Sequence, residues 1–484
     1  MKRGFLIFLL LSSLLLGGWC LAEDTNSTVP AMIAVGLDYG EDALPEVKLG
    51  FHNGIRLFCN SLEIWNSSEL WWLQLAPENG SYSQLPFSFA TREAAFAYLI
   101  ESGYTVDSYP AFTQEGWKVW LSTPYCETLP ILATKGVVNS SCMRVSDGGG
   151  NTLFFYQPTI GDSIDTLRSH MAEFQDYDNG DLIYGANQRS YPEEMLIQRY
   201  QSFGLTVINN LPFELYIAAV ISREMSPSWP LEALKAQAVA SRSFTLATPP
   251  SEYLQYGFNT YQQTYIGVDL AREARVQQAI QETAGEVIWY DSNGIEKIAA
   301  AYYHADAGGS TENSENVFVQ TVPYIRGVKE FFKTESPDNV WDPVPSMTTE
   351  EIRLSLLKGY ADIGAIRAIR VLKEGAFGAA IEIEIVGSLK TIVLKKWEGP
   401  YYFGLKSYNF TVTKQMDLSI LSANGNRTAF SGGRAEVLTA NGLESLSVSE
   451  GTSVLSSQGL GELQGNGAVY CFPGGGYGHN LGMS

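Results

Sequence analysis

The sequence predicts an α+β protein: a core of mixed helices and antiparallel sheets, with a smaller α+β module set into it. Three patterns point there. Apolar residues recur at helical spacing over 213–223 and 231–245. Short alternating runs separated by Gly-containing turns fill 286–303 and 366–412. Residues 70–121 run strand, helix, strand, strand, the first part of a compact mixed unit.

Taken in order, alternation over 32–37 and 47–51 gives two opening strands. The module begins with a strand over 70–75. A helix follows that Thr91 caps, that Ala95, Phe96, Leu99 and Ile100 stripe, and that Gly103 closes. Strands over 104–109 and 117–121 meet at a turn ending in Gly116, and Gly148-Gly149-Gly150-Asn151 reads as a flexible break. Beyond it, a strand over 205–209 leads through Asn209-Asn210-Leu211-Pro212 into a helix striped by Phe213, Ile217, Val220 and Ile221, ending at Glu224. Pro230 sits at the first position of the next helix, where its missing N–H costs nothing, and Leu231, Leu234 and Ala238 line one face. A further helix over 271–283 stops at Gly285. Strands over 286–290 and 297–303 flank the hairpin turn Asp291-Ser292-Asn293-Gly294, which delivers His304 into a Gly-rich loop. Strands over 366–371, 380–386, 391–394 and 410–412 build another sheet. The expected division is 1–22, an export signal; 31–65, opening strands of the core; 66–148, the small module; and 150–484, the main domain.

Composition narrows the partners. The chain has 52 acidic against 32 basic residues, a formal net charge of −20. With no basic run to neutralise phosphates, nucleic acid is not an expected partner. Met1-Lys2-Arg3, the apolar run 5–16 and the small-residue exit through Ala22 read as a secretory signal cleaved after Ala22. Left uncleaved, the same segment would anchor the chain in a membrane. A lipoprotein signal would use Cys20, but the bulky Trp19 before it fits poorly. No other stretch approaches the ~18 continuous apolar residues of a spanning helix. Cys59, Cys126, Cys142 and Cys471 are spaced too irregularly for a zinc site, while Cys126 and Cys142 could pair outside the cytoplasm.

The chemistry centres on Glu224. It ends one helical pattern and faces a Pro/Trp loop containing Trp229, just before the next helix. Desolvation beside an indole disfavours a carboxylate anion, and a carboxyl kept protonated near neutrality can act as a general acid. Of the histidines His52, His170, His304 and His479, the last two sit in or beside Gly-rich loops, where backbone can approach a ligand closely. Rival chemistries lack their parts. The C-terminal glycines have no Lys-Ser/Thr and no strand-then-helix context for a phosphate loop. There is no Gly-x-Ser-x-Gly elbow, no His-Glu-x-x-His and no paired cysteines, so neither metal nor cofactor is expected. Trp71, Trp72, Trp117 and Trp120 crowd the strands of the small module. On that pattern alone, core packing explains them better than a sugar-stacking platform.

The run Glu224-Met225-x-x-x-Trp229-Pro230-Leu231-Glu232-Ala233-Leu234-Lys235-Ala236-Gln237-Ala238-Val239-Ala240-x-Arg242 resembles the signature of the stage II sporulation protein D family, whose domain is shared with amidase enhancers. The likeness extends to Asn209-Asn210-Leu211-Pro212-Phe213-Glu214-x-Tyr216 upstream. Downstream it takes in Tyr303-His304-Ala305-Asp306-Ala307-Gly308-Gly309-x-Thr311-Glu312, Pro323-Tyr324, Leu405-Lys406-Ser407-x-x-Phe410, and Gly476-Tyr477-Gly478-His479-x-x-Gly482-Met483-Ser484. The resemblance implies a lytic transglycosylase that cleaves peptide-stripped peptidoglycan glycan strands and leaves anhydro-muramic acid ends. It carries the catalytic acid onto Glu224. It places Arg242 as an orienting or substrate-contacting residue, with Gln237, Trp229, Tyr303, His304 and His479 around the substrate; Lys235 is as well explained by the exposed helix face. The alternative it leaves open is a non-catalytic glycan-binding enhancer of a cell-wall amidase. Either implies an extracytoplasmic protein of wall remodelling and sporulation.

Some positions depart from that pattern. Relatives that bind zinc carry a cysteine in a Cys-Gln-x-Tyr-x-Gly segment; here Gln262 precedes Gln263-Thr264-Tyr265-Ile266-Gly267, so no metal is expected. Ala307 stands where serine is common and Lys406 where arginine is common, and relatives usually continue a few residues past Ser484. The module, through its 91–101 helix, Gly103-Tyr104 and Gly116-Trp117-x-Val119, resembles the start of a SPOR (sporulation-related repeat) domain. Such domains bind peptide-stripped glycan, which shifts the expectation for its tryptophans toward a glycan-binding accessory.

Overall fold

The structure, a computed structural model, describes residues 29–50, 54–59, 62–70, 72–122, 134–135, 142–157, 167–171, 182–184, 189–199, 204–249, 257–259, 263–268, 273–318, 320–331, 336–415, 418–421, 427–430, 433–439, 442–448, 453–456, 459–462 and 469–484. The expected export signal, His52, Trp71, Cys126 and Gln262 lie outside the described residues. Among the described residues no helix is long and apolar enough to cross a membrane. Helices and largely antiparallel sheets coexist, the α+β class expected.

Two sheets carry the N-terminal half. The first runs Gly257–Asn259, Met32–Asp38, Leu205–Pro212, Glu194–Arg199, Leu167–Met171, Ile55–Cys59, Leu62–Ser67. Its centre is an antiparallel pair with Met32 opposite Pro212 and Val35 opposite Asn209. The second sheet has Val47–Gly50, Trp72–Pro77, Met143–Asp147, Thr152–Gln157, Tyr109–Thr113 and Gly116–Leu121 in its middle. Val35, Leu57, Leu73, Val145, Phe154 and Val207 from both sheets join Ile217 and Val220 in one apolar cluster. The strands of the small module thus share a sheet with Val47–Gly50 before it and Thr152–Gln157 after it.

Helix α1 (Arg92–Glu101) starts as expected: Thr91 accepts the Ala94 N–H, and Gly103 takes φ +73° past its end. Its stripe is narrower than the sequence suggests. Ala95 and Leu99 are buried against Leu85, Val119 and Leu121, while Phe96 and Ile100 are 43% and 54% exposed. The strand expected over 104–109 begins only at Tyr109, because Asp107 adopts φ 45°, which extended backbone does not contain. Trp117 and Trp120 are both buried, one toward the main core and the other against Ala111, Cys142 and Phe155. Packing therefore accounts for these two rings; Trp72 stays partly exposed.

Gly148-Gly149-Gly150 is a hairpin turn rather than a break. Asp147 Oδ1 accepts the N–H groups of Gly149 and Asn151, and the strands Met143–Asp147 and Thr152–Gln157 pair across it. Helices α2 (Phe213–Glu224), α3 (Leu231–Ala247) and α4 (Ala274–Glu282) pack beside the first sheet. Every residue of the expected α2 stripe is buried, and so are Tyr216, Ala218, Ala219 and Ser222, so the helix is enclosed on all sides. Pro230 is the residue preceding α3.

The C-terminal half has its own core. Ile366–Glu374, Ala380–Gly387 and Thr391–Lys395 form the expected sheet, and Trp341, Ile352, Phe403 and Phe472 pack with it. Phe410 bridges Gly474 instead of joining that sheet. Three hairpins, beginning with Leu418–Leu421 and Arg427–Phe430, go beyond what the sequence reading found, although Asn424-Gly425 and Asn441-Gly442 are hairpin-turn signals.

The two faces of α1 should respond unequally to truncation. Leu99→Ala is expected to lower unfolding free energy by roughly 2–5 kcal/mol, and Ile100→Ala to change it by less than about 0.5 kcal/mol. Urea titration of both variants measures this, and equal losses would refute the orientation.

Candidate active site at the end of a buried helix

Glu224 is the last residue of α2 and is partly exposed. The carbonyl end of a helix carries partial negative charge, so an acidic residue there is not explained by helix stability. Its carboxylate is met from across the chain: the Thr264 N–H donates to Glu224 Oε1 at 3.3 Å. The loop to α3 turns tightly, with the Trp229 N–H donating to Ser226 O at 2.9 Å, and leaves the Trp229 indole 49% exposed. One wide, half-open aromatic face therefore stands on the loop that leaves Glu224.

The loop carrying Thr264 is fixed by Gln263, which is buried. Gln263 Nε2 donates to Ser241 O at 3.2 Å and to the Tyr303 hydroxyl at 3.2 Å. Its Oε1 accepts from the Tyr216 hydroxyl at 3.0 Å and from Thr245 Oγ1 at 2.6 Å. Two residues on, the Tyr265 hydroxyl donates to Asn209 Oδ1 at 2.5 Å, and Asn209 Nδ2 donates to the carbonyls of Pro192 and Glu194. One side chain thus ties α2, α3 and Tyr303 together beside Glu224. Burial pushes the Tyr216 and Tyr303 phenols up, and the Glu224 charge adds to both shifts. The sequence reading did not single out Gln263; its signal was the spacing of Gln263, Tyr265 and Gly267, the last at φ +97°.

Arg242 and Gln237 sit behind this surface. Arg242 is fully buried, gripping Glu214 through Nε and Nη2 at 3.0 and 2.8 Å and the Glu286 carbonyl through Nη1 at 2.9 Å. Gln237 is buried too and donates to Ser241 Oγ at 3.0 Å. Burial removes direct substrate contact for Gln237 and leaves Arg242 the orienting alternative, its guanidinium bracing α2 against α3. Lys235 bridges Glu232 and Glu282, joining α3 to α4.

Tyr303, His304 and His479 come together because the C-terminal segment threads past the 302–312 loop. Tyr303 pairs with Met483 and Asp306 with Tyr477. The imidazoles of His304 and His479 lie 5.4 Å apart. His304 Nδ1 meets Leu481 O at 3.0 Å, while its buried Nε2 has no partner. His479 Nδ1 accepts the Leu481 N–H. The threading is tight: a Cβ on Gly308, at φ +63°, would lie 2.4 Å from the Gly475 carbonyl carbon, and one on Gly482 2.0 Å from Tyr302 O. Among the described residues no cluster of three metal-ligating side chains occurs. A cleft of about 430 Å³ lies elsewhere, between Leu62–Ser67 and the start of α1, and does not include Glu224.

Burial lowers both imidazoles, His479 to about 4, with the neighbouring His304 adding to the shift. A histidine with a lowered folded pKa takes up protons on unfolding, so its contribution is complete above the unfolded value near ~6.5 and is lost as pH falls toward ~4. Melts of the wild type should therefore fall more steeply between those pH values than melts of His479→Gln, with up to roughly 3 kcal/mol at stake. Parallel curves would refute it. Gly308→Ala, which drives a Cβ into Gly475, should lower the melting temperature sharply, whereas Gly309→Ala meets open space and should cost less.

The geometry can be set beside known proteins. The family model described as "Stage II sporulation protein" matches residues 201–290. An uncharacterised protein of Brachyspira hyodysenteriae is 38% identical over 128 residues, 26% of this chain and 33% of that protein. Stage II sporulation protein D of Bacillus amyloliquefaciens is 26% identical over 179 residues, 33% of this chain and 51% of its own. The amidase enhancer of Bacillus subtilis is 32% identical over 125 residues, 26% of this chain and 16% of its own. The chain spans about half or less of the length of these relatives. The matched segment contains α2, Glu224, α3, the Gln263 loop and α4. The part of the chain built around Glu224 thus matches the model described as stage II sporulation protein, and is similar to stage II sporulation protein D and to the amidase enhancer.

Proposed function

We propose that the protein is a lytic transglycosylase of peptide-stripped peptidoglycan strands, with Glu224 as its acid and base. The observation that carries the reading is the position of Glu224: an acidic residue at the carbonyl end of an enclosed helix, partly open to solvent and met by a backbone N–H from a distant loop. In this chemistry the Glu224 carboxyl gives its proton to the oxygen joining N-acetylmuramic acid to N-acetylglucosamine. The glycosidic bond breaks, and positive charge develops on the muramic ring. The muramic primary hydroxyl then attacks the anomeric carbon while the Glu224 carboxylate takes its proton, closing an anhydro ring. No water adds, so one carboxyl serves both steps and a second at glycosidase spacing is not required. The exposed Trp229 indole would stack on a sugar ring; Tyr303 would face the cleft, with His304 and His479 shaping its far wall.

Relatives named for stage II sporulation and for amidase enhancement support the reading of an extracytoplasmic role on the cell wall. The module over 66–148 would serve as a glycan-binding accessory to the 150–484 domain. The second reading, a non-catalytic enhancer of a wall amidase, rests on the amidase enhancer among the relatives.

Glu224→Gln should keep the melting temperature and co-sedimentation with stripped glycan strands, and lose anhydro-muramic ends by about 10²–10⁴-fold in mass spectra of the products. Ends formed equally by both proteins would overturn the assignment. Stimulation of a wall amidase by Glu224→Gln, with no ends from the wild type, would establish the enhancer.

A further inference from the structure

The loop that meets Glu224 is anchored on both sides of Thr264. Before it, Gln263 uses all four hydrogen-bonding sites of its amide: Nε2 donates to Ser241 O and to the Tyr303 oxygen, and Oε1 accepts from Tyr216 and Thr245. After it, Tyr265 is buried, its hydroxyl donating to Asn209 Oδ1 and its ring 5.9 and 5.4 Å from those of Tyr191 and Tyr216. Thr264 itself is exposed, and what it presents to Glu224 is its backbone N–H, 3.3 Å from Oε1. A planar peptide held between two buried anchors has little freedom to turn, so this donor keeps its place whatever the charge on the carboxyl. A neutral carboxyl has two unlike oxygens. The carbonyl oxygen accepts hydrogen bonds well, whereas the hydroxyl oxygen carries the proton and accepts poorly. A fixed N–H on Oε1 therefore favours the form of Glu224 whose proton sits on Oε2.

We propose that Gln263 is a positioning residue that holds the Thr264 N–H on Glu224 Oε1, and that Oε2 is the oxygen that gives the proton and takes it back. The proposal deepens the transglycosylase reading and rests on it for its chemical use. Oε2 passes its hydrogen to the glycosidic oxygen as the bond from that oxygen to the anomeric carbon breaks. The same oxygen then takes the hydrogen of the muramic primary hydroxyl as the new carbon–oxygen bond closes the ring. The Thr264 N–H stays on Oε1 throughout, and its hydrogen bond strengthens as the carboxyl becomes an anion, with no reorganisation. That gain arises only where charge develops, so its loss falls on turnover rather than on glycan binding.

The test uses the full chain and stripped glycan strands. Thr264→Pro removes the backbone N–H and should lower kcat about ten- to hundredfold, with KM unchanged within about twofold. Should Thr264→Pro fail to fold in a thermal melt, the α-hydroxy acid of threonine at 264 replaces it, exchanging the N–H for an ester oxygen and keeping the side chain. Gln263→Leu should lower kcat in the same way, and combining it with the change at 264 should add nothing, because the two act as one unit. Unchanged kcat without the N–H, or losses that multiply, would overturn the proposal while leaving Glu224 in place. A second arm needs no activity. In protein labelled with nitrogen-15 threonine, the Thr264 amide proton resonance is assigned by its absence from Thr264→Ser. It should follow the Glu224 carboxyl through an acid titration of the wild type and stay flat in Glu224→Gln. The same titration curve in both proteins, or no movement in either, would also overturn the proposal. The expected difference in a protein that forms no anhydro ends would retire the transglycosylase reading and keep the N–H on Oε1.

Discussion

The enclosure of α2 is the constraint from which the site follows. A helix with only one buried stripe can rotate or slide by a fraction of a turn at modest cost. Here Tyr216, Ile217, Ala218, Ala219, Val220, Ile221 and Ser222 are all buried, between the Leu205–Pro212 strand, α3 and α4. A close-packed interior does not accommodate such shifts, so the point where the helix emerges is fixed. Glu224 occupies that point.

Polar groups then finish what apolar packing begins. The interior around α2 and α3 contains Gln237, Ser241, Arg242, Thr245 and Gln263, all buried. Each has hydrogen-bond partners on a neighbouring element or turn, as buried polar groups require. The Arg242 guanidinium, holding Glu214 and the Glu286 carbonyl, ties the start of α2 to α3 and to the chain leaving α4. Gln263 ties Tyr216, in the first turn of α2, to Tyr303. Apolar contacts tolerate small displacements, whereas these bonds are directional, so they set orientation more than they set stability.

The C-terminal glycines have a different task. Gly475, Gly476, Gly478 and Gly482 let the last segment lie against the 302–308 loop and Asn339 at distances that leave no room for a side chain. Two histidines far apart in sequence become neighbours as a result, in surroundings dry enough to keep them neutral. The pairing of these imidazoles is therefore made by chain closure.

Local signals in the sequence determined the elements nearest the chemistry. The Phe213 stripe, Pro230 before α3, the Thr91 cap and the Asn293-Gly294 turn each act within a few residues, so their outcome is written where they stand. The motif around Glu224 was legible for the same reason. What only the tertiary structure decided was which side of a residue faces what. Phe96 and Ile100 share helical spacing with Leu99 yet face solvent, because only the Ala95 and Leu99 side of α1 packs on Leu85, Val119 and Leu121. Arg242 looks like an exposed polar residue on α3 until Glu214 and Glu286 close over it. Gly148–Gly150 reads as a break until two strands pair across it. Gln263 is only one position of a segment weighed for zinc until two helices and Tyr303 converge on it. Burial and hydrogen-bond direction depend on partners distant in the chain, and a residue's own neighbours in sequence do not encode them.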